Sequence, residues 1–191
     1  MAQLIPYPGI DNTRVMMFVD GENLAIRYGA LLTQYSLNLP EQPWYLQGVF
    51  VWAPEFNNPG HGGGVIRKYF YTSVSGDEPL VAEVADRLKI QGVEAPRVFK
   101  KMKGTRTKQV DISLAVEMLS HAARKHFDIA VLIAGDQDYV PLVRAVQAEG
   151  CRVHVWFFRG GLSEALARVA DHFYDIEEIL VGKAHVTLAT G

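Results

Sequence analysis

Apolar positions along the chain fall into two rhythms. Short uninterrupted runs, Val15 to Val19, Ile129 to Ala134 and most of Cys151 to Phe158, are bounded by turn residues. Runs of that length predict strands buried on both faces. Residues 65 to 74, "VIRKYFYTSV", are rich in β-branched and aromatic residues and predict another strand, with a short one at "VEAPRVF". Between the runs the spacing changes to that of helices. Leu24, Leu31, Leu32 and Tyr35 share one face over residues 24 to 35, and Leu80, Val81, Val84, Ala85 and Leu88 share another ahead of Gly92, which suits a helix stop. Ile112, Ala115, Leu119 and Ala122 mark the clearest helix, and two more are predicted in "YVPLVRAVQAEG" and "SEALARVADHF".

Strands therefore alternate with helices, which predicts an α/β fold: a three-layer α/β/α sandwich around a mainly parallel central sheet. At 191 residues one domain is expected over 1–191, with its core at about 14–180. Residues 36 to 64 are rich in proline, glycine and asparagine around "GVFVW" and read as a loop or small hairpin added to that core. The tail 181–191 has no usable pattern. In open parallel sheets ligands gather outside the carboxyl ends of the strands. Asp20 and Asp136 each stand at such an end, so two acids far apart in sequence are placed to share one crevice.

Composition narrows the class. Apolar residues make up 49% and charged residues 21%, which excludes a disordered chain. The single cysteine, Cys151, excludes an internal disulfide framework and a cysteine metal cluster and suits a reducing compartment. The N-terminal "MAQLIPYPGIDNTR" has no basic stretch leading into an apolar one, and no apolar run approaches the ~18 residues of a membrane span. A cytoplasmic protein with no membrane partner is expected.

The acids carry the candidate chemistry. Asp20 follows the first strand, Asp111 opens the clearest helix, and Asp136 and Asp138 bracket the turn after the Ile129 to Ala134 strand. Carboxylates gathered a few ångströms apart raise one another's pKa unless a cation balances them. An all-oxygen set points to Mg²⁺ or Mn²⁺, which can hold a phosphodiester oxygen and activate water. Each acid also has a structural reading. Asp138 suits an N-cap for the helix carrying Pro141, Asp111 a favourable charge at a helix start, and Asp20 a turn. Asp136 is the hardest to assign a structural role, because Asp138 already serves as the cap.

"MMFVDGENL", "KQVDISLAVEML", "AVLIAGDQDYVPLVRAVQAEGCRVHVWFF" and "LSEALARVADHFYDI" occur in this order. Together they resemble the successive motifs of NYN domains, in the PIN-like nuclease superfamily, and most closely the LabA-like branch. The resemblance covers about residues 14 to 180, apart from 36 to 64. It implies a PIN-like, Rossmannoid sandwich and a metal-dependent ribonuclease with RNA as its partner. Carried over by position, Asp20, Asp111, Asp136 and Asp138 are the metal-binding and catalytic acids, Asn23 is the strand-one asparagine, and Ser163 and Asp171 are polar positions of the last helix. The family often has an aspartate six residues after Asp111, where this chain has Glu117. That position lies about 120° from Asp111 around the helix, so Glu117 is assigned a surface or supporting role.

Six basic residues, Arg97, Lys100, Lys101, Lys103, Arg106 and Lys108, lead into Asp111 with no acid among them. Such a run is most often a solvated loop, but beside an acidic site it suits a polyanion. Lys103, Arg106 and Lys108, with Asn23 and Ser163, are the candidate nucleic-acid contacts. Trp52, Tyr69 and Tyr71 are candidate stacking surfaces, whereas Trp156 is expected in the core. His61, His121 and His126 have no metal-ligand spacing. Two further readings remain: an RNA-binding or regulatory module of the same fold with little turnover, and a haloacid dehalogenase-type phosphatase, disfavoured because Glu22 stands where its second aspartate is needed. A homo-oligomer is left open.

Overall fold

The computed structural model describes residues 13–37, 44–57, 65–101 and 108–182. Six strands form one sheet: β1 (Val15–Asp20), β4 (Val65–Val74), β5 (Ala95–Lys100), β6 (Ile129–Ile133), β7 (Arg152–Phe157) and β8 (His172–Asp175). Their order is β5-β4-β1-β6-β7-β8 and every pairing is parallel. Strands β2 (Trp44–Leu46) and β3 (Phe50–Trp52) form a separate antiparallel hairpin. The helices are α1 (Gly21–Gln34), α2 (Glu78–Ile90), α3 (Lys108–Ala123), α4 (Val140–Ala148), α5 (Glu164–Val169) and α6 (Glu177–Val181). The expected α/β architecture, a parallel sheet flanked by helices, is what forms.

The period of two along β1 divides the core. Val15, Met17 and Val19 meet α1, α2 and the β2–β3 hairpin on one face. Met16 and Phe18 meet α3 and α4 on the other. Asp20 continues the Met16–Phe18 series, so its side chain belongs to the α3 and α4 side. The chain builds the sheet outward from β1 through β4 to β5, then returns along α3 to start again at β6 on the other side of β1. Strand order thus reverses between β1 and β6, the switch point at which such sheets open a crevice.

Three expectations are corrected. Of the 36–64 segment, the described residues do form a hairpin, the second of the two readings, but it is packed into the core rather than added to it: Phe50, Val51, Trp52 and Phe56 are buried, with Trp52 edge-on to Phe56 and Phe70. Its proline and glycine content obscured an aromatic core. The helix predicted over residues 163 to 173 ends after Val169, and His172–Asp175 forms the edge strand β8. The Asp171 carboxylate fixes that change of direction by accepting from the Val153 backbone N–H at 2.7 Å and from Gln147 Nε2 at 3.0 Å. In α3 the buried face is Val110, Leu114, Met118 and Ala122, whereas Ile112 and Leu119 point outward. Apolar residues lie on both sides of this helix, so the spacing alone selected a stripe of which Ala122 is buried and Ala115 partly so. The patternless tail falls largely outside the described residues, which end at 182.

Candidate metal centre at the carboxyl edge of the sheet

Asp20 closes β1 and caps α1: its Oδ1 accepts from the Asn23 backbone N–H at 3.0 Å. Its Oδ2 accepts from the Tyr139 hydroxyl at 2.8 Å. The same hydroxyl lies 3.2 Å from Asp111 Oδ1, on the first turn of α3. One phenol therefore touches two carboxylates from opposite halves of the chain. Having one proton, it donates to one of them at a time. Asp20 is 4% exposed, and burial above all pushes its carboxyl up to about 7, with Asp111 and Glu22 adding repulsion and the two hydrogen bonds opposing. Asp111 is likewise raised, first by burial and then by repulsion from Asp136, Glu22 and Asp138, while Tyr139 opposes.

The loop after β6 is held by its neighbours. Asn23 Oδ1 accepts from the Gly135 backbone N–H at 3.1 Å, and the Gly135 carbonyl accepts from the Ser163 N–H at 2.9 Å. A Cβ on Gly135 would lie 2.3 Å from the Phe157 ring and 2.7 Å from the Gly161 carbonyl oxygen, so only glycine fits. Asn23 thus ties the β1–α1 turn to the β6 loop. Ser163 caps α5, its Oγ accepting from the Leu166 N–H at 3.2 Å.

The capping assignment is reversed. Asp136 caps the 3₁₀ turn Gln137–Tyr139 by accepting from the Asp138 N–H at 3.1 Å, while α4 begins without a side-chain cap. Asp136 and Asp138 are both exposed, and both act on Asp111. Asp171 stands with Val153 at the amino ends of β7 and β8, the opposite edge of the sheet from Asp20. Glu117 lies apart from the acids, held by Arg97 (Nη2 to Oε1 2.7 Å) and the Tyr71 hydroxyl at 2.8 Å. Burial raises its carboxyl, but the Arg97 and Tyr71 hydrogen bonds outweigh that and leave it below its ordinary value.

Of the basic run, Arg97 pairs with Glu117, Lys100 with Glu78 at 3.7 Å and Lys101 with Glu22. Lys103 and Arg106 lie outside the described residues, as does the Lys108 side chain at the start of α3. Trp52, Tyr69 and Tyr71 are buried, which removes them as stacking surfaces, and Trp156 is in the core as expected. His61 is outside the described residues. His121 and His126 meet through their Nδ1 atoms at 2.8 Å, and His121 Nε2 meets the Tyr69 hydroxyl at 2.8 Å, a chain that their spacing did not suggest.

Sequence reasoning missed Tyr139, and named Glu22 and Lys101 without pairing them beside Asp20. Glu22, two residues beyond Asp20 in the first turn of α1, accepts from the Ser73 hydroxyl at 2.8 Å and pairs with Lys101. This also occupies the position a phosphatase would use as its acid. Tyr139 lies next to Asp138 in sequence, but its reach across to Asp20 depends on the switch-point topology.

The donors at this edge are hard oxygens, with Lys101 the one ammonium near them among the described residues, and such a set fits Mg²⁺ or Mn²⁺ in chemistry and charge. Among the described residues, no three ligating groups stand close enough to enclose an ion as the side chains lie.

The NYN domain model matches residues 14–177, and the chain belongs to the NYN domain family. It carries the PIN-like nuclease fold; members of the family are generally nucleases acting on RNA and typically use divalent metals. The chain is similar to the crystal structure of a protein of unknown function from Vibrio parahaemolyticus, with a TM-score of 0.65 and 19% identity over 91% of this chain and 99% of that one. That likeness is one of fold. No curated protein matches the sequence. Among the described residues no helix is long and apolar enough to cross a membrane.

Proposed function

We propose that this protein is a Mg²⁺- or Mn²⁺-dependent ribonuclease whose site is built on Asp20, Asp111, Asp136 and Asp138. The observation that carries the reading is the convergence of Asp20 and Asp111, from opposite halves of the chain, on one crevice where strand order reverses, close enough to meet the same Tyr139 hydroxyl. Burial and mutual repulsion make these carboxylates costly to ionise unless a cation joins them. Bound there, a divalent ion supplies Lewis-acid polarisation of a phosphodiester oxygen. Asp20 and Asp111 would hold it, with Asp136 and Asp138 at the exposed mouth accepting a proton from attacking water. Asn23 fixes the β6 loop relative to β1, and Lys103, Arg106 and Lys108 are proposed to hold the RNA backbone. We place the chain in the LabA-like branch on its string of motifs, acting as a single domain in the cytoplasm, where a lone buried thiol such as Cys151 is at home.

The test is cleavage of single-stranded and structured RNA by the purified protein with Mn²⁺ or with EDTA. Asp136→Asn is the informative variant, because asparagine retains the turn cap and removes the charge. The proposal expects cutting only with metal and a large loss in the variant. Cutting in EDTA, or unchanged cutting by Asp136→Asn, would contradict it.

One observation favours a second reading, a binding module with little turnover: among the described residues no three ligating side chains stand together as a ready-made metal cage. RNA binding without cleavage under any divalent metal would support that module instead.

A further inference from the structure

Helix α3 carries more apolar surface than its packing uses. Beyond its buried face, Ile112, Val116 and Leu119 form a second strip, 58%, 59% and 36% exposed. Isolated exposed apolar residues are ordinary, but a continuous strip along a groove requires an explanation. Opposite it stand Pro141, Leu142 and Ala145 of α4, and the two helices enclose a groove of about 430 Å³. That volume falls within the range of small-ligand sites. From Ile112 to Leu119 the strip runs two helical turns, about 10 Å. One end of the groove is lined by Asp111, Asp138 and Tyr139, which belong to the carboxylate site; past the two acids no lining residue among the described ones is charged.

An apolar groove leading out of an acidic centre repels a phosphate and accepts the uncharged part of a nucleotide. We propose that it is a base-binding subsite, taking one unstacked nucleobase of a single-stranded RNA whose phosphodiester lies at the carboxylates. The inference rests on the ribonuclease reading above and adds a substrate class to it. The α3 and α4 walls meet the two apolar faces of a base. In a duplex those faces are covered by stacked neighbours, so the groove discriminates against paired RNA. Its continuity with the acids, through shared residues, favours substrate over a second copy of the chain. A second copy needs a contact well beyond one groove, on the order of 1,000 Å².

The test uses the full chain carrying Asp136→Asn to prevent cleavage, with Mn²⁺ present. Fluorescence anisotropy compares a labelled oligouridylate with a ribose-phosphate strand of equal length lacking bases. The parent should bind the base-bearing strand roughly tenfold more tightly. Ala145→Phe, which fills the groove, and Val116→Gln, which makes its wall polar at an exposed position, should each remove that preference and leave binding of the abasic strand unchanged. The Val116 variant keeps the test decisive should the Ala145 variant not fold. A preference retained by the folded variants, or missing in the parent, overturns the subsite while leaving the ribonuclease reading intact. A sedimentation mass that falls in Val116→Gln with the base preference retained assigns the strip to a second copy and also overturns it. Failure of the parent to bind either strand overturns the ribonuclease reading and the subsite with it.

Discussion

At the scale of single residues, the site is defined by Asp20, a carboxylate with almost no exposure at the end of a central strand. Its pKa rises from 3.8 in a model peptide to about 7 in the fold, so between these values the native state holds a proton that the unfolded chain has lost. Stability therefore falls as pH rises through that window; the penalty is absent below about pH 4 and complete above about pH 7. Asp20→Asn removes the titration. In EDTA it should raise Tm by roughly 5 °C at pH 8 and by little at pH 4. Thermal melts of both proteins across that range check this, and a difference independent of pH would contradict it. The acids at the strand ends were legible in sequence because turn residues mark the ends of buried runs. Tyr139 was not legible, since a tyrosine in "GDQDYVPL" shows no direction, and its partner Asp20 is 119 positions away. The cap was misassigned for a related reason. Asp136 and Asp138 are equally good caps by composition, and only the 3₁₀ turn Gln137–Tyr139, which takes Asp138 into itself, decides which one accepts the N–H.

At the scale of elements, α3 holds two acids in separate surroundings. Its first turn carries Asp111 to the crevice, while Glu117 ties it to β5 and β4 through Arg97 and Tyr71. Arg97→Ala should lower Tm by a few degrees by leaving a half-buried carboxylate with one partner. Metal-dependent cleavage should be little changed, so a rate measured beside the melt distinguishes support from catalysis. The β2–β3 hairpin makes the opposite point: a segment that reads as decoration is part of the core. Trp52→Ala should cost about 3–5 kcal/mol, the range for removing a buried aromatic side chain. A denaturant titration showing no more than a surface substitution's loss would return the hairpin to an appendage. Helical spacing predicts where α3 exists, but with apolar residues on both sides it cannot say which side faces the sheet.

At the scale of the whole molecule, the alternation of strands and helices was enough to predict the layered parallel sheet, because each element's pattern matches its burial. Edge strand β8 was less visible: three of its four residues are half-buried and one is exposed, so it lacks the buried run that marks β1 and β6. What the topology adds is the meeting place. Reversal of strand order between β1 and β6 brings the end of one, the loop after the other and the first turn of α3 to a single edge. The proposed site therefore depends on Asp111, which reaches that edge from the first turn of α3 and has enough exposure to be altered without disturbing the core. The most direct measurement is the rate of Mn²⁺-dependent cleavage of single-stranded RNA by the wild type and Asp111→Asn, with Tm recorded for each. The expected result is a loss of about a hundredfold or more with a Tm no lower than that of the wild type, and no cleavage by either protein in EDTA. An Asp111→Asn rate equal to wild type, or cleavage that persists in EDTA, would contradict it.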